Sequence, residues 1–205
     1  MIIYSRVTDQ PATEPVTLTE AKTHLEYQGS AKDAYILSLI KTSRRLCEAY
    51  AGLSFVTQER SVKLDHFPFS HSYIEVPYGP VQTIDSFTYL NEDGTTTTMV
   101  ENTDYVVDTH SGICRLYAID SAGEIDLWPT DIKSRPNAIT IVYTAGYDEA
   151  VNEPLPEIAK QAMLMQMGAL FEQREDARQG EVTPIFWNSM TLLDMIKVTW
   201  NANQD

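Results

Sequence analysis

Two periods alternate along this chain, and they divide it into helical ends and a β-rich middle. From residue 154 apolar positions recur at helical spacing, with Pro156 where a first helical residue tolerates it and Glu157 at the positive helix end, predicting a helix over about 156–173. That helix is apolar on two sides. Ile158, Ala162, Met165 and Ala169 form one stripe, and Met163, Met167, Leu170 and Phe171 form a second. One stripe belongs to the core of its own domain. The other faces a second core layer or a neighbouring subunit.

Nearer the start, residues 1–16 are polar with Pro11 and Pro15 and predict an extended arm, after which Thr17-Leu18-Thr19-Glu20 has the form of a capping box. The first helix ends near Gly29. Ser30 is then the expected cap of a second, with Ile36, Leu39, Ile40, Ser43, Cys47 and Tyr50 on one face and Gly52 as its stop. Lys41, Arg44, Arg45 and Glu48 occupy the other face and predict a solvated surface, in which Arg44 and Arg45 are the only adjacent basic pair. Between residues 55 and 147 the period drops to two, predicting strands over 55–64, 73–76, 81–90, 95–100, 105–108, 113–117 and 138–143. Asn91-Glu92-Asp93-Gly94 marks a hairpin and His110-Ser111-Gly112 a second tight turn. Residues 121–137 form a looser connection, pinned to the core by Trp128.

After a charged loop over 173–183, a cap at Asn188 or Ser189 leads into a final apolar helix over 190–200. Phe186, Trp187, Met190, Leu193, Ile196 and Trp200 either bury against the domain or offer an anchor to a partner. The predicted class is α+β: a small helical core (17–52 and 154–175) with an antiparallel β lobe (55–147) inserted, and a C-terminal docking segment (184–205), in one domain spanning residues 1–205.

At 205 residues and 43% apolar content the chain can bury one good core, or a core with a satellite lobe. No apolar run approaches the roughly 20 residues of a membrane span, and the N-terminus lacks the form of a signal peptide, so a soluble, cytosolic product is expected. Cys47 and Cys114 have no metal-like spacing and predict buried thiols.

The net charge of −14 is uneven: residues 61–150 carry 14 acids against 4 bases, whereas residues 1–60 carry 7 of each. A duplex-gripping protein needs Lys and Arg to displace counterions, so this balance argues against tight DNA binding. It suits a wall that DNA passes without sticking. Candidate chemistry is sparse. His24, His66, His71 and His110 lack metal-ligand spacing, the acidic hairpin lacks the spaced ligands of a calcium loop, and no P-loop, G-x-S-x-G or G-x-G-x-x-G occurs. No catalytic residue, metal or cofactor is predicted.

Taken in order, Val16-Thr17-Leu18-Thr19-Glu20-Ala21-Lys22-Thr23-His24-Leu25, then Leu39-Ile40, Arg45, Cys47-Glu48-Ala49-Tyr50-Ala51-Gly52 and Thr57-Gln58, form one signature. Tyr143-Thr144-Ala145-Gly146-Tyr147 forms another. Leu155-Pro156-Glu157-Ile158, Gln161-Ala162 and Phe171-Glu172-Gln173-Arg174-Glu175 form a third. In this order and spacing the chain resembles the head-to-tail connector, or adaptor, proteins of long-tailed bacteriophages and gene-transfer particles. The end departs from that pattern, with Leu192-Leu193-Asp194-Met195-Ile196 and Trp200 in place of a short Leu- and Pro-containing close.

The resemblance implies a structural virion protein of the neck, made in the host cytoplasm, without catalysis or cofactor. It implies a homo-oligomeric ring of about twelve copies beneath the portal protein, extending the DNA channel and presenting a platform for a tail-completion or stopper protein. Within it, Phe186, Trp187, Met190, Leu193, Ile196 and Trp200 are expected to dock on the portal, and Met163, Met167, Leu170, Arg44 and Arg45 to line the ring interface. The alternatives are a β-domain module binding carbohydrate or another tail component, and a hydrolase with dispersed carboxylates.

Overall fold

The computed structural model describes residues 4–70, 72–109, 113–172 and 186–198. In chain order they form β1 (Tyr4–Asp9), α1 (Leu18–His24), α2 (Asp33–Ala51), β2 (Gln58–Leu64), β3 (Ile74–Val76), β4 (Val81–Leu90), β5 (Thr96–Thr98), β6 (Tyr105–Asp108), β7 (Cys114–Ala118), β8 (Ile139–Ala145), α3 (Glu157–Glu172) and α4 (Phe186–Asp194). These fall into two compact units: a β unit of residues 4–11 and 57–146, and a helical unit of residues 12–56 and 147–197. The α+β class is as the periods predict.

In the β unit, Ile139, Ile141, Tyr143 and Ala145 are buried and alternate with half-buried Thr140, Val142 and Thr144, which makes β8 a strand with one apolar face. It sits at the centre of a five-stranded sheet of order β1-β2-β8-β4-β5, every neighbouring pair antiparallel. A three-stranded sheet, β3-β7-β6, supplies the other layer. Val62, Leu64, Phe87, Ile139 and Ile141 from the first sheet share one buried cluster with Ile74, Val76, Tyr105, Cys114, Leu116 and Ala118 of the second.

An aromatic knot fills this cluster. Phe67 stacks on Trp128 with ring centroids 5.2 Å apart and meets Tyr89 edge-on at 5.5 Å, while Phe87 meets Tyr105 edge-on at 5.1 Å. The Trp128 indole N–H donates to the Ser72 carbonyl at 2.7 Å, so the loose 121–137 connection is pinned by that residue, as expected. Tyr143 donates its hydroxyl to the Pro77 carbonyl at 2.7 Å, and burial pushes its pKa up to about 12. The acidic hairpin is a turn: the Asn91 side chain accepts from the Thr95 N–H at 2.8 Å, and Gly94 takes φ +84. His110-Ser111-Gly112 lies outside the described residues.

Two expectations fail here. Part of the expected N-terminal arm is β1, which pairs with β2 through Tyr4↔Lys63 to Val7↔Arg60. Within its sequence YSRVTD only Tyr4 and Val7 are apolar, three positions apart, so no alternation registers beside Pro11 and Pro15. Ser30 does not cap α2 either. The helix begins at Asp33, after Lys32, which makes no side-chain cap, and the Asp33 carboxylate takes Lys22 Nζ at 2.7 Å.

In the helical unit, Thr17 and Glu20 form the predicted capping box. The Thr17 N–H donates to Glu20 Oε2 at 2.8 Å and the Glu20 N–H to Thr17 Oγ1 at 3.2 Å. The free Glu20 oxygen then holds Lys160 Nζ at 2.7 Å, tying α1 to α3. These contacts, the Lys160 bond first, draw the Glu20 pKa from an ordinary 4.5 to about 2. Gly52 closes α2 in the left-handed region, φ 69, and its N–H reaches the Glu48 carbonyl at 2.9 Å.

Of the face of α2 expected in solvent, Lys41 and Arg45 are exposed, but Arg44 and Glu48 are buried. Arg44 is 2% exposed, with Nε 2.7 Å from Glu14 Oε2 and Nη1 2.9 Å from Glu48 Oε2. The second Glu48 oxygen accepts the Phe55 N–H at 2.8 Å. Helical spacing placed Arg44 opposite the apolar stripe. In the fold the segments 12–16 and 52–56 cover that side, and the charge is compensated by carboxylates.

Replacing Arg44 with Met strands Glu48 among apolar atoms, so a loss of about 3–5 kcal/mol in urea unfolding is expected. The double change Arg44→Met with Glu48→Leu recovers much of that loss. For Glu20, a folded value below the unfolded one means a contribution that is complete above about pH 4.5 and is lost as pH falls towards 2. Because Glu20 is 41% exposed, screening limits this to about 1 kcal/mol. Lys160→Met should remove most of that contribution near neutral pH and so reduce the acid-dependent loss between those pH values, as read from unfolding midpoints.

Candidate interaction surface

α4 is where the two expectations for the C-terminal segment meet. It starts at Phe186, before the predicted cap, so Ser189 lies inside the helix and turns inward. The Ser189 hydroxyl donates to Gln166 Oε1 of α3 at 3.1 Å, and Leu193 is only 2% exposed. At the far end Asp194 Oδ1 accepts the Tyr50 hydroxyl at 2.7 Å, which raises the Tyr50 pKa above its ordinary value, and Lys197 Nζ lies 4.2 Å from the Tyr50 ring centre. These contacts seat α4 on α2 and α3.

The seat is incomplete. A cavity of about 110 Å³ remains between the three helices, lined by Leu46, Cys47, Tyr50, Gln166, Ser189, Met190 and Leu193. Leu46 and Met190 open to solvent beside it, at 46% and 36% exposure, and Met195 beyond the helix reaches 71%. The arrangement is a shallow apolar surface on a held helix, with the chemistry of a protein contact. The Cys47 thiol in its wall is pushed by burial up to about 12, which leaves it unreactive near neutral pH. Among the described residues no group of three or more His, Cys, Asp or Glu side chains is placed to hold a metal ion.

For the portal-docking residues, the structure puts Leu193 in the core of the helical unit, Met190 at the rim of the cavity and Ile196 half-buried just past α4. The side chains of Phe186 and Trp187, and the whole of Trp200, lie outside the described residues. For the ring-interface residues, Met163 and Met167 are each 1% exposed and Arg44 is enclosed by its carboxylates, so none of these three has surface to offer a neighbour. Leu170 is half-buried and Arg45 is exposed. The two-stripe reading of α3 resolves into one buried face, Ala159, Ala162, Met163, Gln166, Met167 and Phe171, with Ile158, Met165 and Ala169 half-buried along its edge.

Sequence reasoning missed Glu14 and Gln166, and it gave Ser189 the role of a cap where the structure gives it a bond to Gln166. Gln166 carried a usable signal, since it is a polar residue at a core spacing of the helix, three and four positions from Met163 and Ala162. Glu14 carried none, because its partner is 30 residues away.

No family profile matches this chain. No curated protein matches it either. Solved structures do match in fold. A chain in the neck of an empty gene transfer agent (GTA) particle, computed with C6 symmetry, superposes with a TM-score of 0.72 at 16% identity, covering 97% of both chains. One in the virion of a native GTA particle gives 0.72 at 17% identity over 96% of both. A third, in the neck of a native GTA particle computed with C12 symmetry, gives 0.67 at 18% identity, covering 96% of this chain and 97% of that one. The fold is therefore shared over nearly the entire length with chains of GTA particles, two of them from the neck.

The surface generates a pair of outcomes. Leu193→Ala should cost about 2–5 kcal/mol, as a buried side chain does, whereas Met190→Ser should stay within about 0.5 kcal/mol of the parent in the same thermal or urea unfolding experiment.

Proposed function

We propose that this chain is a structural protein of a virion-type neck: a head-to-tail connector subunit that joins a ring, binds the portal protein and presents a platform to a tail or stopper protein. One observation carries the reading. Both the β unit and the helical unit are accounted for in the likeness to GTA neck chains, with no sizeable part of either chain left over.

The surface chemistry supports this reading. With 29 acids against 15 bases, the exterior repels a polyanion, which suits a channel wall along which DNA moves without adhering. The apolar rim of Leu46, Met190 and Met195 supplies material for a contact with the portal, held in place by Leu193 and Ser189 beneath it. In this reading α4 is anchored in its own subunit before the portal is met, so binding orders fewer side chains and costs less entropy.

The test is electron microscopy of the full-length protein mixed with the portal protein of the same particle. Rings seated on one end of the portal are expected, together with no measurable duplex DNA binding by the free protein at physiological salt. A protein that stays off the portal at any mixing ratio, or that binds duplex tightly and in a salt-sensitive way, overturns the assignment.

A further inference from the structure

The five-stranded sheet ends in β1 on one side and β5 on the other. All four pairings between them are antiparallel, so five strands bring β1 and β5 out pointing the same way. A second copy set beside the first in the same orientation therefore offers its β1 parallel to β5. The two edges differ, so each copy has one of each kind, and the contact is head-to-tail, as closed rings require and two-fold dimers do not.

β5 is open to such a partner. Met99 N–H donates to the Phe87 carbonyl at 2.8 Å, Asn91 N–H donates to the Thr95 carbonyl at 3.0 Å, and Thr97 stands opposite Tyr89. The alternation of an antiparallel ladder then turns the main-chain groups of Thr95, Thr97 and Met99 towards β4 and those of Thr96 and Thr98 away from the sheet. Both threonines are exposed. The run 95–98 is four threonines, high in strand preference and free of the lysine or proline that commonly blunts an edge.

Charge selects the alignment. The turn at the start of β5 exposes Glu92 and Asp93, with Lys133 Nζ beside Gly94, which leaves the turn net negative. The start of β1 is basic: Arg6 is exposed on the strand, Lys63 pairs with Tyr4, and both line a groove of about 570 Å³ with Thr8, Ser61 and Asn137. Among the described residues, none of the ion pairs includes Arg6, Lys63, Glu92 or Asp93. Parallel pairing lays the acidic start of one strand against the basic start of the other.

We propose that β5 of one copy pairs in parallel with β1 of the next, continuing the sheet from subunit to subunit, with the Glu92-Asp93 turn against Arg6 and Lys63. The inference rests on the ring reading above and names the surface that closes the ring. The experiment uses the full-length chain with its portal and scores rings by electron microscopy and mass. Two charge variants are made, Glu92→Lys with Asp93→Lys, and Arg6→Glu with Lys63→Glu, each checked for folding by circular dichroism. Each alone places like charges across every contact and should lower ring yield by about tenfold or more. An equal mixture restores opposite charges at every contact of an alternating ring and should recover assembly.

Thr98→Pro removes an outward N–H without touching the ladder to β4, and should also give a folded protein that does not close rings. Folded charge variants that assemble like the parent, or a mixture that stays unassembled, overturn the edge pairing while leaving the ring reading intact. A parent protein that forms no rings removes both.

Discussion

Arg44 is the point on which the helical unit turns. One guanidinium reaches Glu14 and Glu48, and Glu48 in turn holds the Phe55 N–H, so a single turn of α2 fixes residues 12–16 and residues 52–56. These are the segments by which the chain arrives from β1 and leaves towards β2. A planar, permanently charged fork suits this position better than lysine, because it can bond two carboxylates from different directions while staying dry. Buried charge is costly unless every lone pair is met. Here both Glu48 oxygens have donors, so the network specifies where two chain segments cross the helix.

The β unit solves a different problem by apolar means. Its two sheets contribute to one cluster, and the stacked and edge-on rings of Phe67, Trp128, Tyr89, Phe87 and Tyr105 give that cluster a defined geometry. Trp128 brings a loop of more than a dozen residues under the same constraint through one hydrogen bond to Ser72. Glu75 of β3 is the buried carboxylate of this unit; its other described acidic residues are half-buried or exposed, where they cost less and repel polyanions.

Seating α4 on α2 and α3 has a functional side. Leu193 and Ser189 hold the helix, and Leu46, Met190 and Met195 are left exposed. A surface built in this way is rigid before it is used. Its apolar residues are few and interrupted by polar ones, which keeps the exposed apolar patch small.

What the sequence determined by itself is what repeats locally or is written in adjacent residues. The α3 helix, the Thr17–Glu20 capping box, the Gly52 stop, the hairpin at Gly94 and the alternation of β8 rest on contacts within a few positions, so period and cap chemistry suffice to find them. Tertiary structure decided the rest. β1 is a strand because β2 lies beside it; its own six residues are too short and polar to say so. Arg44 is buried because Glu14 and Glu48 neutralise it, although helical spacing alone places it in water. Met163 and Met167 belong to the core, and Met190 to a rim, according to where α2 and α4 pack. A stripe of apolar residues shows that something covers it; only the fold determines whether the cover is its own chain or another.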